Sequence, residues 1–390
     1  LINLVNNFRH TYLTEFLLIN SLVGKETKYA LIDGSMIITE ALVRAGADIF
    51  VGYPITPSNR FYTYGQKRFP SFYPAPDEIS VLQWMSGAAA TGKIPVTATA
   101  FPGLALMIES LNMAYAMELP MVLVLTQRLG PSTGSATIGA QGDLGIVNGI
   151  ISGFPIPTFC PSNFEDCWTL SYKAVETAVK LRTPVILLTS KEMVMTSKSF
   201  DISIFPDLNP IKNDSPKIKG DYKSYKAGQD LIAPFLSVTN NQHQVRINAS
   251  MHDESGRIVK NEESLTVSRR LKDKIMLKSS ELAFFDYIKE KGAHKLIISY
   301  GISSLAALDA LEEIRAGAQK VSLLILKTLI PLDEKIYDII DSYDEVLIVE
   351  ENINGQLKEM IFGKRNTKKV KSLNKFGSMI APSEIVNKFA

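Results

Sequence analysis

Residues Val96–Thr126, VTATAFPGLALMIESLNMAYAMELPMVLVLT, decide the fold. Val96–Ala100 and Met121–Thr126 are short apolar runs that predict strands, and Leu104–Met117 between them predicts a helix. A helix between two strands is the crossover that joins parallel neighbours. Upstream the rhythm is the same. Ser35–Ala45 keeps apolar residues at Ile37, Ile38, Ala41 and Leu42, ends near Gly46, and leads to a strand over Asp48–Tyr53. A further helix should start near Asp77 and run to about Ala90. Downstream, a Gly/Ser/Thr-rich loop runs from Arg128 to Gln141, then helix Asn163–Lys180 and strand Pro184–Leu188 resume the pattern. Strands alternating with helices of this length predict a parallel sheet with helices on both faces.

After about Phe200 the composition shifts to Asn, Asp and Lys with few apolar runs. A second α/β unit follows, with strands Lys295–Tyr300, Lys320–Leu326 and Glu345–Glu350 and helices Ser304–Ala316, Asp333–Ser342 and Gln356–Phe362. The expected organisation is an extension over 1–28, an α/β domain over 29–200, an irregular connecting segment over 201–280 and a second α/β domain over 281–390. The apolar run 11–23 is interrupted by Glu15 and is too short to span a bilayer. Neither a secretory signal nor a membrane association is expected.

Composition excludes several classes. Lys and Arg number 42 against 40 Asp and Glu, a net charge of +2, so no global field points to nucleic acid. The only cysteines are Cys160 and Cys167, too few for a disulfide scaffold and consistent with a reducing, cytoplasmic setting. Two thiols also cannot hold an iron–sulfur cluster that takes four.

In parallel α/β sheets, ligands sit at the carboxyl ends of the strands, so the loops after strands come first. Tyr53-Pro54-Ile55-Thr56-Pro57-Ser58 brackets Thr56 with two prolines that would hold it in one geometry. The same stretch is also a rigid strand-to-helix turn with Ser58 as helix cap. Asp77-Glu78 opens a helix whose body, Met85-Ser86-Gly87-Ala88-Ala89-Ala90, is small enough for a flat ligand to approach. Glu78 there stabilises the helix start or bonds a cofactor nitrogen. The third loop, Gln127-Arg128-Leu129-Gly130-Pro131-Ser132-Thr133-Gly134 with Thr137 and Gln141-Gly142-Asp143, sets a guanidinium beside hydroxyls and glycines, a cradle for a carboxylate.

Gly87-Ala88-Ala89-Ala90-Thr91-Gly92-Lys93 spells a near phosphate-binding loop, but Ile94 stands where a magnesium-binding hydroxyl is needed and Pro95 disfavours the following helix. Nucleotide hydrolysis is therefore not expected. His10, His243, His252 and His294 lack metal-ligand spacing. The basic stretch Lys364–Lys369 has no interleaved aromatics and reads as a solvated face.

In order, YPITPS (53–58), Asp77-Glu78, TATAFPG (97–103), ELP (118–120), QRLGPSTGSATIGAQGDL (127–144), HDESG (252–256) and EENINGQL (350–357) resemble the α subunit of 2-oxoacid:ferredoxin oxidoreductases, most nearly the 2-oxoglutarate type. The resemblance covers about residues 30–390. Asn59, Ala100-Phe101 and Ala136 depart from it, and Phe101 and Ala136 bear on substrate preference. It implies a thiamine-diphosphate-enzyme pyrimidine-binding domain followed by a transketolase C-terminal-like α/β domain. It also implies CoA-dependent oxidative decarboxylation, 2-oxoglutarate to succinyl-CoA being the expected case, with electrons passing to ferredoxin. By the same resemblance Glu78 meets the aminopyrimidine ring and Pro54, Ile55 and Thr56 border the cofactor. Arg128 clamps a substrate carboxylate, with Thr56, Thr137, Ser132 and Thr133 beside it.

A thiamine diphosphate site also needs a diphosphate–magnesium half, commonly G-D-G followed later by Asn. Gly142-Asp143-Leu144 and Gly220-Asp221-Tyr222 both break that pattern. The magnesium, the iron–sulfur cluster and the rest of the site are expected on a β subunit, with γ and δ subunits as further partners and coenzyme A as co-substrate. The same chemistry on pyruvate or a branched-chain 2-oxoacid is one alternative. A non-catalytic scaffolding or anion-binding relative is another, disfavoured because a decayed site should shed its costly polar groups first.

Overall fold

The computed structural model describes residues 28–213, 215–364 and 369–389. The extension before residue 28, His10 and most of the basic stretch 364–369 lie outside them. The strands are β1 (Tyr29–Ile32), β2 (Ile49–Gly52), β3 (Ser71–Pro74), β4 (Pro95–Thr99), β5 (Met121–Gln127), β6 (Thr158–Phe159) and β7 (Pro184–Ser190). There follow β8 (Lys198–Asp201), β9 (Phe285–Ile288), β10 (Lys295–Tyr300), β11 (Val321–Leu326), β12 (Thr328–Ile330), β13 (Glu345–Glu350) and β14 (Val370–Asn374).

One sheet runs β12-β6-β7-β5-β4-β2-β3, parallel except for its edge strand β12. Every residue of β4, β5 and β7 is buried, as strands covered on both faces must be. Along β5, Met121, Leu123 and Leu125 enter one core layer while Val122 and Val124 enter the other. Both faces want apolar side chains, which is why the run reads as continuous rather than alternating. The crossover helix, Phe101–Ala116, starts three residues earlier than expected because Pro102 fits the first helical turn.

The second sheet runs β14-β13-β10-β11-β9 and is parallel apart from β9. It is not an independent body. Leu296, Ile298, Tyr300, Leu324 and Ile348 belong to the same core layer as Leu123 and Leu125. Moreover β12, which follows β11 after a single residue, crosses over to pair with β6 at the edge of the first sheet. The ends of the first domain also meet, Tyr29 pairing with Asp201 across β1 and β8.

The segment 201–280 needs a correction. It is irregular to Asn261 apart from the short turn Ile202–Ile204, and then forms a helix, Glu262–Leu277. Asn261 and Ser264 close a capping box at its start. Val267, Leu271 and Ile275 make its buried face at every fourth residue, a stripe diluted by the charged residues between them. Arg270 and Lys274 on that helix reach Glu118, which is fully buried just before β5. Both Arg270 Nη1 and Nη2 donate to the Glu118 carboxylate, and Lys274 Nζ donates to Oε2 at 2.7 Å. Arg182 Nη1 meanwhile donates to the carbonyls of Ala233 and Pro234 at 2.8 and 3.1 Å. Burial pushes the Glu118 carboxyl up, but Lys274, Arg182 and Arg270 overcome it and hold it at about 2. This network fastens the irregular arm to the first domain.

Candidate active site

Because β2, β3, β4 and β5 are parallel, the loops that follow them open along one edge. The YPITPS turn follows β2. Ser58 precedes the helix Asn59–Arg68 but does not cap it with its side chain. Its hydroxyl turns inward instead, 2.7 Å from the Thr99 carbonyl and 2.9 Å from the Thr126 hydroxyl, and so ties the ends of β4 and β5 to the turn. The expected cap is thus replaced by a strand-to-strand tie. Pro54 is exposed, and Ile55 and Thr56 are half-buried.

Glu78 is the first residue of the helix Glu78–Ala90, whose cap Asp77 accepts from Ser80 N at 2.7 Å. Only 7% of Glu78 is exposed, and no donor among the described residues bonds its carboxylate. It lies against Gly103, where a Cβ would come 3.0 Å from Glu78 Oε1 and 2.1 Å from Thr99 Oγ1. Only glycine leaves that space. A carboxylate at the positive end of a helix that no protein donor bonds is open to a donor from a ligand.

Arg128 follows β5. It is buried, and its Nη1 donates to the Thr56 carbonyl, so the first and third loops meet at these two residues. Its Nε is buried with no partner, as is Asp143 Oδ2. Burial weakens the Arg128 guanidinium's hold on its proton, and Asp143 restores part of it. Burial also pushes the Asp143 carboxyl up to about 7, against the pull of Arg128.

The rest of the third loop arches outward. Leu129 N donates to Ile138 O and Ser135 N to Leu129 O, both at 2.9 Å, closing the neck of the arch. At Gly134, φ is +49° and a Cβ would sit 1.8 Å from the Leu129 carbonyl oxygen, so no other residue fits there. Ser132, Thr133 and Thr137 are exposed on the arch, and none bonds Arg128. Thr137 Oγ1 lies 3.2 Å from Ser135 Oγ instead. The geometry therefore brings together Glu78, Gly103, Thr56, Arg128 and Asp143, while the three hydroxyl residues form a separate outer strip.

The far end of this loop binds the second domain, a role the sequence reading did not assign. Gln141 Nε2 donates to Tyr300 O at 2.8 Å, while its Oε1 accepts from Ser303 Oγ and Glu351 N, each at 2.9 Å. Gln356 Nε2 donates to Gly142 O and its Oε1 accepts from Gly145 N, both at 2.7 Å. Within EENINGQL, Glu350 accepts from Leu357 N at 2.8 Å and Asn352 Oδ1 from Gly355 N at 2.7 Å. Burial, with Glu192 nearby, pushes Glu351 up to about 7. The motif order was visible in sequence; that Gln141 and EENINGQL face each other was not. HDESG folds as a tight turn in which Asp253 Oδ1 accepts from the Ser255 and Arg257 amides, each at 2.9 Å. His252 there packs on Tyr225 with ring centroids 3.9 Å apart. Among the described residues no group of three or more His, Cys, Asp or Glu is placed to hold a metal ion, and no helix is long and apolar enough to cross a membrane.

The fold and site together are a parallel sheet with a glutamate and an arginine at its carboxyl edge, backed by a second α/β domain. Residues 40–269 match the family described as pyruvate flavodoxin/ferredoxin oxidoreductase, thiamine diphosphate-binding, and the chain belongs to that family. It is 27% identical to the 2-oxoglutarate synthase subunit KorA of Methanothermobacter thermautotrophicus, over 93% of this chain and 98% of that protein. Identity to the ketoisovalerate oxidoreductase subunit VorB of the same organism is also 27%, over 89% of this chain and 93% of that one. The 2-oxoglutarate:ferredoxin oxidoreductase of Magnetococcus marinus, solved with 2-oxoglutarate, coenzyme A and succinyl-CoA bound, superposes with a TM-score of 0.85 at 25% identity. That superposition covers 93% of this chain but 64% of the other, so this chain spans less than two thirds of its length. A split-gene transketolase shares the fold at a TM-score of 0.51.

Proposed function

We infer that this chain is the α subunit of a 2-oxoacid:ferredoxin oxidoreductase of the 2-oxoglutarate type, forming succinyl-CoA and reducing ferredoxin. The observation that carries this reading is the Glu78 carboxylate, bonded by no donor among the described residues and packed against Gly103 at the carboxyl edge of the sheet, with Arg128 following β5 on the same edge. The donor set fits thiamine diphosphate: a carboxylate for the aminopyrimidine edge, seated where Gly103 lets Glu78 and Thr99 pack close.

Thiamine diphosphate, when bound, supplies a carbon nucleophile and an electron sink for decarboxylation. Glu78 would share a proton with the pyrimidine ring nitrogen, with Pro54, Ile55 and Thr56 bordering the ring. Arg128, already fixed by the Thr56 carbonyl, would hold a substrate carboxylate with its remaining donors, a planar geometry suited to that anion. Thr56 would add a hydroxyl. Thr137, Ser132 and Thr133, on the outer arch, would meet substrate only as it enters.

Magnesium, the diphosphate site and the iron–sulfur cluster would reside on a β subunit, with γ and δ subunits completing the assembly. Apolar area supports such a partner: Ile79, Trp84, Leu106 and Met113 are 43%, 46%, 53% and 39% exposed on the two helices behind the crevice. The equal identity to the ketoisovalerate relative keeps a branched-chain 2-oxoacid as the second reading. The assembled α/β enzyme, given coenzyme A and a dye acceptor, is assayed with 2-oxoglutarate, pyruvate and 3-methyl-2-oxobutanoate. Preference for 2-oxoglutarate is expected; preference for the branched acid installs the second reading, and turnover of none of the three overturns both.

A further inference from the structure

We propose that Asp143 is a positioning residue that competes with substrate for Arg128 and takes up a proton when the substrate carboxylate docks. The inference rests on the reading of Arg128 as the carboxylate clamp.

Geometry comes first. Asp143 stands at the N-terminal end of the short helix Leu144–Gly149, where an aspartate ordinarily caps amides, yet its side chain caps nothing. Its backbone amide donates to Gln127 Oε1 at 3.3 Å, which holds the residue beside the end of β5. The carboxylate is left in the interior, 5% exposed, with Oδ2 unpartnered. Arg128 Nε is the matching orphan. The two charges feel each other but form no ion pair within 4.0 Å. A buried anion and a buried cation held near each other, each with one buried hydrogen-bonding atom open, are arranged for a third group.

A substrate carboxylate beside Arg128 would be a second anion facing one cation. Two carboxylates sharing one counter-charge cannot both stay ionised cheaply, so the one more deeply desolvated takes a proton from solvent. Burial has already brought Asp143 up to about 7, so the cost of that proton near neutrality is small. The groups facing Asp143 are Arg128 from the end of β5 and Tyr300 from the end of β10. Glu350 and Glu351 stand beyond Tyr300, and Glu192 beyond Glu351.

The test uses the assembled enzyme and 2-hydroxyglutarate, a non-reacting analogue, as competitive inhibitor from about pH 6 to about pH 9. Coupled uptake of one proton makes the inhibition constant rise by up to about tenfold per pH unit above about 7. Asp143→Asn, permanently neutral, is expected to keep the low-pH affinity and lose the pH dependence, a signature that a merely structural aspartate would not give. An Asn variant that retains the wild-type slope, or binds weakly at every pH, overturns the proposal. Arg128→Met separates the two readings: undiminished binding in that variant overturns the Arg128 assignment itself, whereas lost binding leaves Asp143 as the point at issue. If Asp143→Asn does not fold, calorimetry of the wild type at about pH 8 in buffers of different ionisation heat decides. Uptake near one proton supports the proposal, and zero uptake overturns it.

Discussion

Glu78 and Glu118 are glutamates of the same domain with little exposed surface, at opposite edges of one sheet, and their surroundings could hardly differ more. Glu118, before the start of β5, is met by Arg270 and Lys274 and held at about 2. Glu78, at the carboxyl edge, has nothing bonded to it. A buried charge whose partners belong to the chain fastens structure. A carboxylate that the chain leaves unbonded at a strand end is open to a ligand. Asp143 lies between these extremes, with a cation in range but out of contact.

Crossed substitutions break or sharpen that contrast. Glu78→Gln should lower kcat by roughly a hundred- to ten-thousand-fold, the usual worth of a positioned proton-transfer group, with the melting temperature unchanged or raised. Steady-state rates and a melting curve check both halves, and wild-type turnover in this variant sinks the assignment. Glu118→Gln should do the reverse. Leaving Arg270 and Lys274 buried without their anion costs about 3–5 kcal/mol, read by denaturant titration, while turnover per folded enzyme stays near wild type.

The Glu118 contribution also has a pH window. Its folded value lies below the ordinary carboxylate range, so the stabilisation is fully present above about 4.5 and is lost as pH falls through about 2. An acid unfolding curve that is the same in wild type and Glu118→Gln would contradict this. Smaller again is Gln141→Ala, which leaves the Tyr300 carbonyl, the Ser303 hydroxyl and the Glu351 amide without this partner. About 1–3 kcal/mol of stability should go with it, and proteolysis at the loop 128–143 should quicken. An unchanged digestion rate would show that the two domains do not depend on this contact.

Much of this was legible in the linear chain, for reasons that can be named. β4 and β5 are continuous apolar runs because both sheet faces are covered, and such runs need no tertiary knowledge to find. The position of Arg128 at the sheet's carboxyl edge follows from the strand it ends, whereas β3, the half-exposed edge strand before Glu78, was not legible. The helix Glu262–Leu277 was hidden because its stripe is one residue in four, and because two of its charged residues are spent on a glutamate more than 150 positions away. Ser58 misled for a related reason: its position is that of a cap, but its hydroxyl is drawn to Thr99 and Thr126, whose proximity only the sheet creates.

By itself, the order of residues determined the central strands of both sheets and that a guanidinium follows β5, whereas the short edge strands came only with the fold. Only the folded chain decided that Glu78 is unpartnered, that Asp143 faces Arg128, that Gln141 locks into the second domain, and that β12 crosses between sheets. Local propensity acts over a few residues, whereas burial and charge pairing depend on groups brought together from distant parts of the chain.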